Sequence, residues 1–212
     1  MYPRTSDTYA QYAETFLASA TQFSQKPLAI LDLRGNPGGN AMLSYAWSHS
    51  YAKQRLSGYG TRVLRLPLHE QKFKQLMDEE TDQSLASLLE DGNYQKHDNL
   101  LYIEKPYMGK KLIKNKSMLL VLQDEISASA SEMLIDELHT MENVIFIGMP
   151  SAGAISGSAM SSFYLDKSGL QIMFGNLYGE FPETYASEYQ GISPDIWVQG
   201  KDVLKYVKEL LK

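Results

Sequence analysis

The chain has 212 residues, enough for one sizeable α/β domain or two small ones, and its formal net charge of -5 argues against nucleic acid as the main partner. It has no cysteine, which excludes thiol catalysis, disulfides and Cys-ligated metals. The histidines (His49, His69, His97 and His139) lack ligand spacing, so neither a metal nor another cofactor is expected, and no run nears the ~18 apolar residues of a membrane span.

Tyr9, Tyr12, Phe16, Leu17, Ala20 and Phe23 recur at helical spacing and predict an amphipathic helix over 8–23. No basic, apolar leader precedes it. Met1-Tyr2-Pro3-Arg4 reads either as a natural start or as a cut from a longer precursor.

The apolar run 28–33 is short, aliphatic and bounded by turn residues, the pattern of a strand covered on both faces. It gives way at once to Arg34-Gly35-Asn36-Pro37-Gly38-Gly39. Glycines after a buried strand let the backbone turn sharply and bring N–H groups close to a ligand, as in an oxyanion or phosphate site. Neither phosphate-loop pattern follows, so the segment reads as an oxyanion loop or as a plain strand-to-helix turn.

A second helix is predicted from Asn40 and a strand over 61–68. Residues 69–116 are the most polar and read as an insertion or lid, with a helical stripe over 70–90 and charges that form a solvated face. Buried strands follow at 118–122 and 143–147, with a helix over 130–141 between them. A hairpin joins 160–165 to 170–174, a short strand spans 195–198, and a helix over 203–211 closes the chain. Strands alternating with helices make an α/β fold.

Ser127-Ala128-Ser129-Ala130-Ser131-Glu132 bridges a buried strand and a helix. Ser129 with Glu132 fits a capping box. The same geometry would also place a serine hydroxyl at the positive end of a helix, with the next N–H aimed at an oxyanion. Such a serine needs a base to become a nucleophile.

Together, 32–39, 127–132, Gly148, Ser151-Ala152-Gly153 and 188–196 (Glu188-Tyr189-Gln190-Gly191-Ile192-Ser193-Pro194-Asp195-Ile196) resemble the C-terminal processing (tail-specific) serine peptidases. The resemblance covers most of the chain except 58–116. It implies a ClpP/crotonase-like catalytic core, a sheet flanked by helices, as one catalytic domain over 1–212 acting on peptides or proteins. It also implies Ser129 as nucleophile and an oxyanion hole from the Ala130 N–H and that of Gly38 or Gly39. The lysine base of the best-known members is replaced by Ala154, so the tricorn-like branch, with a histidine base, is the better match. Glu188 matches the glutamate that orients that histidine, which in this branch lies upstream of the glycine-loop strand. None of the histidines here stands at that position, and His49 and His139 read as helix-surface residues. The family is commonly exported or envelope-associated.

A non-catalytic module on the same scaffold is the alternative, with Tyr164, Phe174, Tyr178, Phe181 and Tyr185 lining an apolar pocket. An acyl-CoA enzyme of crotonase type would also use backbone N–H groups, but no basic phosphate patch accompanies them here.

Overall fold

The computed structural model describes residues 6–56, 60–64, 94–97, 100–103, 112–165, 167–180, 186–187, 189–200 and 202–211. The chain divides into two units. One comprises 1–58, 108–155 and 183–212, and the other 59–107 and 156–182.

In the first unit the apolar runs form a parallel sheet of β1 (Leu28–Asp32), β5 (Met118–Gln123), β6 (Val144–Gly148) and β11 (Ile196–Trp197), in the order β1-β5-β6-β11. Leu28 pairs with Met118, and Leu119 with Val144. Side chains alternate across the strands, so each apolar run serves two faces. Leu120, Leu122 and Ile147 pack with Val203 and Val207 of the last helix, α4 (Val203–Leu210). The opposite residues Leu119, Val121 and Phe146 are equally buried. Phe146 stacks on His139, which caps the C-terminus of α3 (Ala130–Leu138), so helix covers the second face too.

Two more helices belong to this unit. In α1 (Ser6–Ser24), Phe16 and Phe23 pack on Trp47 of α2 (Ala41–Ala52), with ring centroids 5.9 Å apart in both pairs. Trp47 is fully buried and its indole N–H donates to Ser19 Oγ at 2.9 Å, which satisfies its one polar atom. The amphipathic reading of α1 holds for Phe16, Ala20 and Phe23, whereas Tyr12 points to solvent. Asn40 caps α2 by accepting the Met42 N–H at 2.9 Å.

The second unit is an antiparallel sheet with the order β3-β4-β2-β8-β7, from β2 (Gly60–Leu64), β3 (Tyr94–His97), β4 (Leu100–Ile103), β7 (Gly157–Tyr164) and β8 (Gln171–Glu180). The predicted hairpin is thus longer than the apolar pattern showed, because strand pairing carries it through 157–178. Of the expected insertion over 69–116, β3 and β4 are strands of this sheet. Its 70–90 stripe lies outside the described residues. A short pair, β9 (Ala186–Ser187) with β10 (Gly191–Ile192), belongs to the first unit.

His139 departs from its surface expectation. Its ring lies 3.8 Å from that of Phe146, and burial pushes its pKa down from the usual 6.5 to about 4, with Asp195 pulling weakly the other way. The unfolded chain binds a proton here below pH 6.5, while the folded chain does not until about pH 4. Stability from this residue is therefore complete above pH 6.5 and falls as pH drops through that window, by on the order of 3 kcal/mol in all. The urea midpoint should decline between pH 6.5 and 4, and His139→Phe should flatten that slope. An unchanged slope in the variant would assign it to other groups.

Candidate active site

The parallel sheet brings the C-terminal ends of β1, β5 and β6 side by side, the edge where open α/β sheets hold ligands. β1 runs into the glycine loop, β5 into the serine turn, and β6 into the small-residue loop 149–155. Segments far apart in sequence therefore meet.

Backbone bonds and short polar side chains join the first two loops. The Leu33 N–H donates to Leu122 O at 2.9 Å, and the Ala128 N–H to Asn36 O at 3.0 Å. The outer serines of the run act as staples: Ser127 Oγ donates to Leu33 O at 2.9 Å and Ser131 Oγ to Asn36 O at 3.1 Å. Asp124 supports the same joint, with Oδ1 accepting N–H bonds from Gly35 at 2.9 Å, and from Ile126 and Ser127 at 3.1 Å. On the rim, the Arg34 guanidinium forks onto Asp32 (2.8 and 2.7 Å) and holds that carboxyl below its usual range.

Contact is closest at Gly38. A Cβ there would stand 2.6 Å from Ala128 O, 2.8 Å from Ser129 Cβ and 2.9 Å from Ala130 N, so only glycine lets the loop lie this close to the serine turn. The Gly38 N–H donates to Asn36 Oδ1 at 3.0 Å. The N–H groups of Gly39 and Ala130 have no protein partner among the described residues. Gly39 can offer its donor as it stands, and Gly38 by releasing Asn36.

Ser129 is half-buried and has φ 53° and ψ -116°, a conformation costly for a residue with a Cβ. It sits one residue before α3, whose nine residues are all buried. Ser129 O accepts the Met133 N–H at 3.0 Å, which fixes the plane of the Ser129–Ala130 peptide and hence the direction of the Ala130 N–H. Behind the turn, Glu132 is fully buried and accepts the Ser129 N–H at 2.9 Å.

The structure thus brings Gly38, Ser129 and Ala130 together. Glu188, the expected orienting carboxylate, lies outside the described residues. Ala154, expected at the position of the absent lysine, is exposed, and its N–H donates to Glu132 Oε2 at 2.9 Å. His49 is half-buried rather than on the surface, with Nε2 3.3 Å from Glu137 Oε1, because α2 packs against α3 there. No cluster of metal-ligating side chains occurs among the described residues. Of the aromatics in the alternative pocket, Tyr164 is exposed, and Phe174 and Tyr178 belong to β8. Phe181 and Tyr185 lie outside the described residues.

Sequence reasoning missed the structural parts played by Asp124 and Glu137 and the reach of Glu132. Glu132 lies between a small and an apolar residue, but Asp124 and Glu137 each adjoin another carboxylate, a pattern that fits ordinary solvated side chains.

A family model described as peptidase family S41 matches residues 2–198. No curated protein matches the chain. Among solved structures, mature CPAF complexed with lactacystin is similar at 15% identity and TM-score 0.57, covering 93% of this chain and 46% of that one. A putative peptidase from Parabacteroides merdae is 17% identical with TM-score 0.54, covering 94% and 56%. A lipoprotein from Streptococcus agalactiae is 14% identical with TM-score 0.50, covering 94% and 61%. The chain spans about half the length of these structures.

The contacts at Gly38 give an expected hierarchy. Gly35 has φ +70° with open space around it, so Gly35→Ala should cost only the left-handed backbone penalty, about 1–2 kcal/mol. Gly38→Ala adds a clash with backbone atoms and should cost at least about 3 kcal/mol. Urea denaturation of both variants measures the difference, and equal costs would mean the two loops are not held in contact.

Proposed function

The chain belongs to peptidase family S41, and from that premise we propose a serine-peptidase domain of tricorn-like type with Ser129 as nucleophile. The observation that carries this reading is the strained Ser129 turn at the head of a buried helix, with the Gly38 backbone against it and the Ala130 N–H unengaged. Ser129 and Glu132 form a capping box, and the strain at Ser129 persists only where the surroundings over-determine it, a condition that also suits presentation of a nucleophile.

In the proposed reaction Ser129 Oγ attacks the carbonyl carbon of a peptide bond and its proton passes to a base. The carbonyl oxygen takes up the electron pair as an oxyanion, held by the Ala130 N–H and that of Gly39 or Gly38. Each donor of this type contributes roughly 3–4 kcal/mol. Collapse returns the electron pair, the base protonates the departing amine, and water then hydrolyses the acyl-enzyme.

The base is proposed to be a histidine outside these 212 residues, oriented by Glu188. His49 is committed to Glu137 and His139 to its stack on Phe146, which favours an external base over either. Peptides or proteins are the substrates, and an extracytoplasmic or envelope setting belongs to the same reading. No helix among the described residues is long and apolar enough to cross a membrane.

A fluorophosphonate probe tests this. The 212-residue chain should label slowly, Ser129→Ala should abolish the label, and peptide hydrolysis should be weak or absent. Rapid labelling lost in Ser129→Ala would place a working base within the chain. Labelling that survives Ser129→Ala would remove Ser129 as the nucleophile.

A further inference from the structure

Glu132 holds more than the end of its helix. Its side chain is fully buried and both carboxylate oxygens are filled. Oε2 accepts the N–H groups of Ser129 and Ala154, each at 2.9 Å. Oε1 accepts the Ser151 hydroxyl at 2.6 Å and the Gly153 N–H at 2.8 Å. A helix cap needs only the first of these bonds. The others reach into the loop after β6, which carries the contact onward. Ser151 Oγ accepts the Ile192 N–H at 2.7 Å, and the Tyr189 N–H donates to Gly153 O at 2.9 Å. A Cβ on Gly153 would lie 2.6 to 2.8 Å from the backbone nitrogens of residues 189–191, so these segments touch without side chains between them.

Carboxylate burial is costly unless donors surround the charge, and here the donors come from the serine turn and from a loop about twenty residues on. A carboxylate so placed can hold a costly backbone conformation that Ser129 would not keep alone.

We infer that Glu132 is a positioning residue for Ser129: its buried carboxylate clamps the strained turn to the loop 151–154 and, through Ser151 and Gly153, sets the turn in register with 189–192, the stretch directly after Glu188 in sequence. This rests on the reading of Ser129 as nucleophile. Glu132 itself need touch no substrate, and its effect passes through the hydroxyl it aims and the Ala130 N–H beside it.

The cysteine-free chain allows a test that needs neither turnover nor a base. A Ser129→Cys variant carries a single thiol at the turn, and the pH dependence of its alkylation by iodoacetamide reports how well a thiolate is stabilised there. Adding Glu132→Gln should move the midpoint of that profile upward, because the thiolate loses its alignment with the Ala130 N–H and the helix end. The alkylation rate at neutral pH should then fall about tenfold. Removal of a nearby negative charge by itself moves the midpoint downward. A downward or absent shift would therefore overturn the inference and leave Glu132 as a helix cap alone. Should Glu132→Gln fail to fold, Ser151→Ala removes one donor and keeps the carboxylate. It should shift the midpoint upward by less, and no shift would again overturn the inference. Failure of the peptidase reading appears separately, as fluorophosphonate labelling that does not depend on Ser129.

Discussion

A carboxylate taken out of water must find donors, and the position of Glu132 at the head of a fully buried helix makes that requirement severe. The donors come from the backbone of its own turn and from the loop after β6, so the loop cannot drift without leaving the charge unsatisfied. On the other side of the turn, Ser127 and Ser131 do the same with neutral groups, using hydroxyls to hold the carbonyls of Leu33 and Asn36. The serine turn is therefore gripped from two directions by groups that would each cost free energy if released.

That grip explains the division of labour within the serine run. The outer serines are committed to the glycine loop and leave the middle one at the strained position. Small residues between them allow the close approach that Gly38 completes, since any Cβ at that point would enter the backbone of the turn. Sharp turn, strained residue and glycine contact are parts of one packing solution at the carboxyl ends of adjacent parallel strands.

The helix that follows is supported from behind in the same way. Ser44 of α2 donates to Ala130 O at 2.7 Å, the Ser48 hydroxyl donates to Glu137, and His49 approaches the other oxygen of that carboxylate. These contacts lock α2, the helix leaving the glycine loop, to α3, the helix leaving the serine turn. Polar pairs buried between helices fix their register more tightly than apolar packing alone, because a slip leaves unmade hydrogen bonds. Both walls of the candidate site are thus tied to each other through α2 and α3.

Much of this was legible in one dimension. The runs at 28–33, 118–122 and 143–147 are aliphatic and end at turn residues, so their strands could be read with boundaries within a residue of those observed. The order of the glycine loop, the serine run and Gly148 pointed to the family. Glu132 itself read as a capping residue, and its bond to the Ser129 N–H is that half of the pattern. Its other partners, at 151–154, were not legible, nor were the staples made by Ser127 and Ser131 or the stacking of His139 on Phe146. Periodicity and turn chemistry depend on neighbours in sequence, so the amino-acid sequence by itself determined the elements and the motifs they carry. Which buried polar group meets which donor depends on strands that lie side by side only after folding, and the tertiary structure alone decided it.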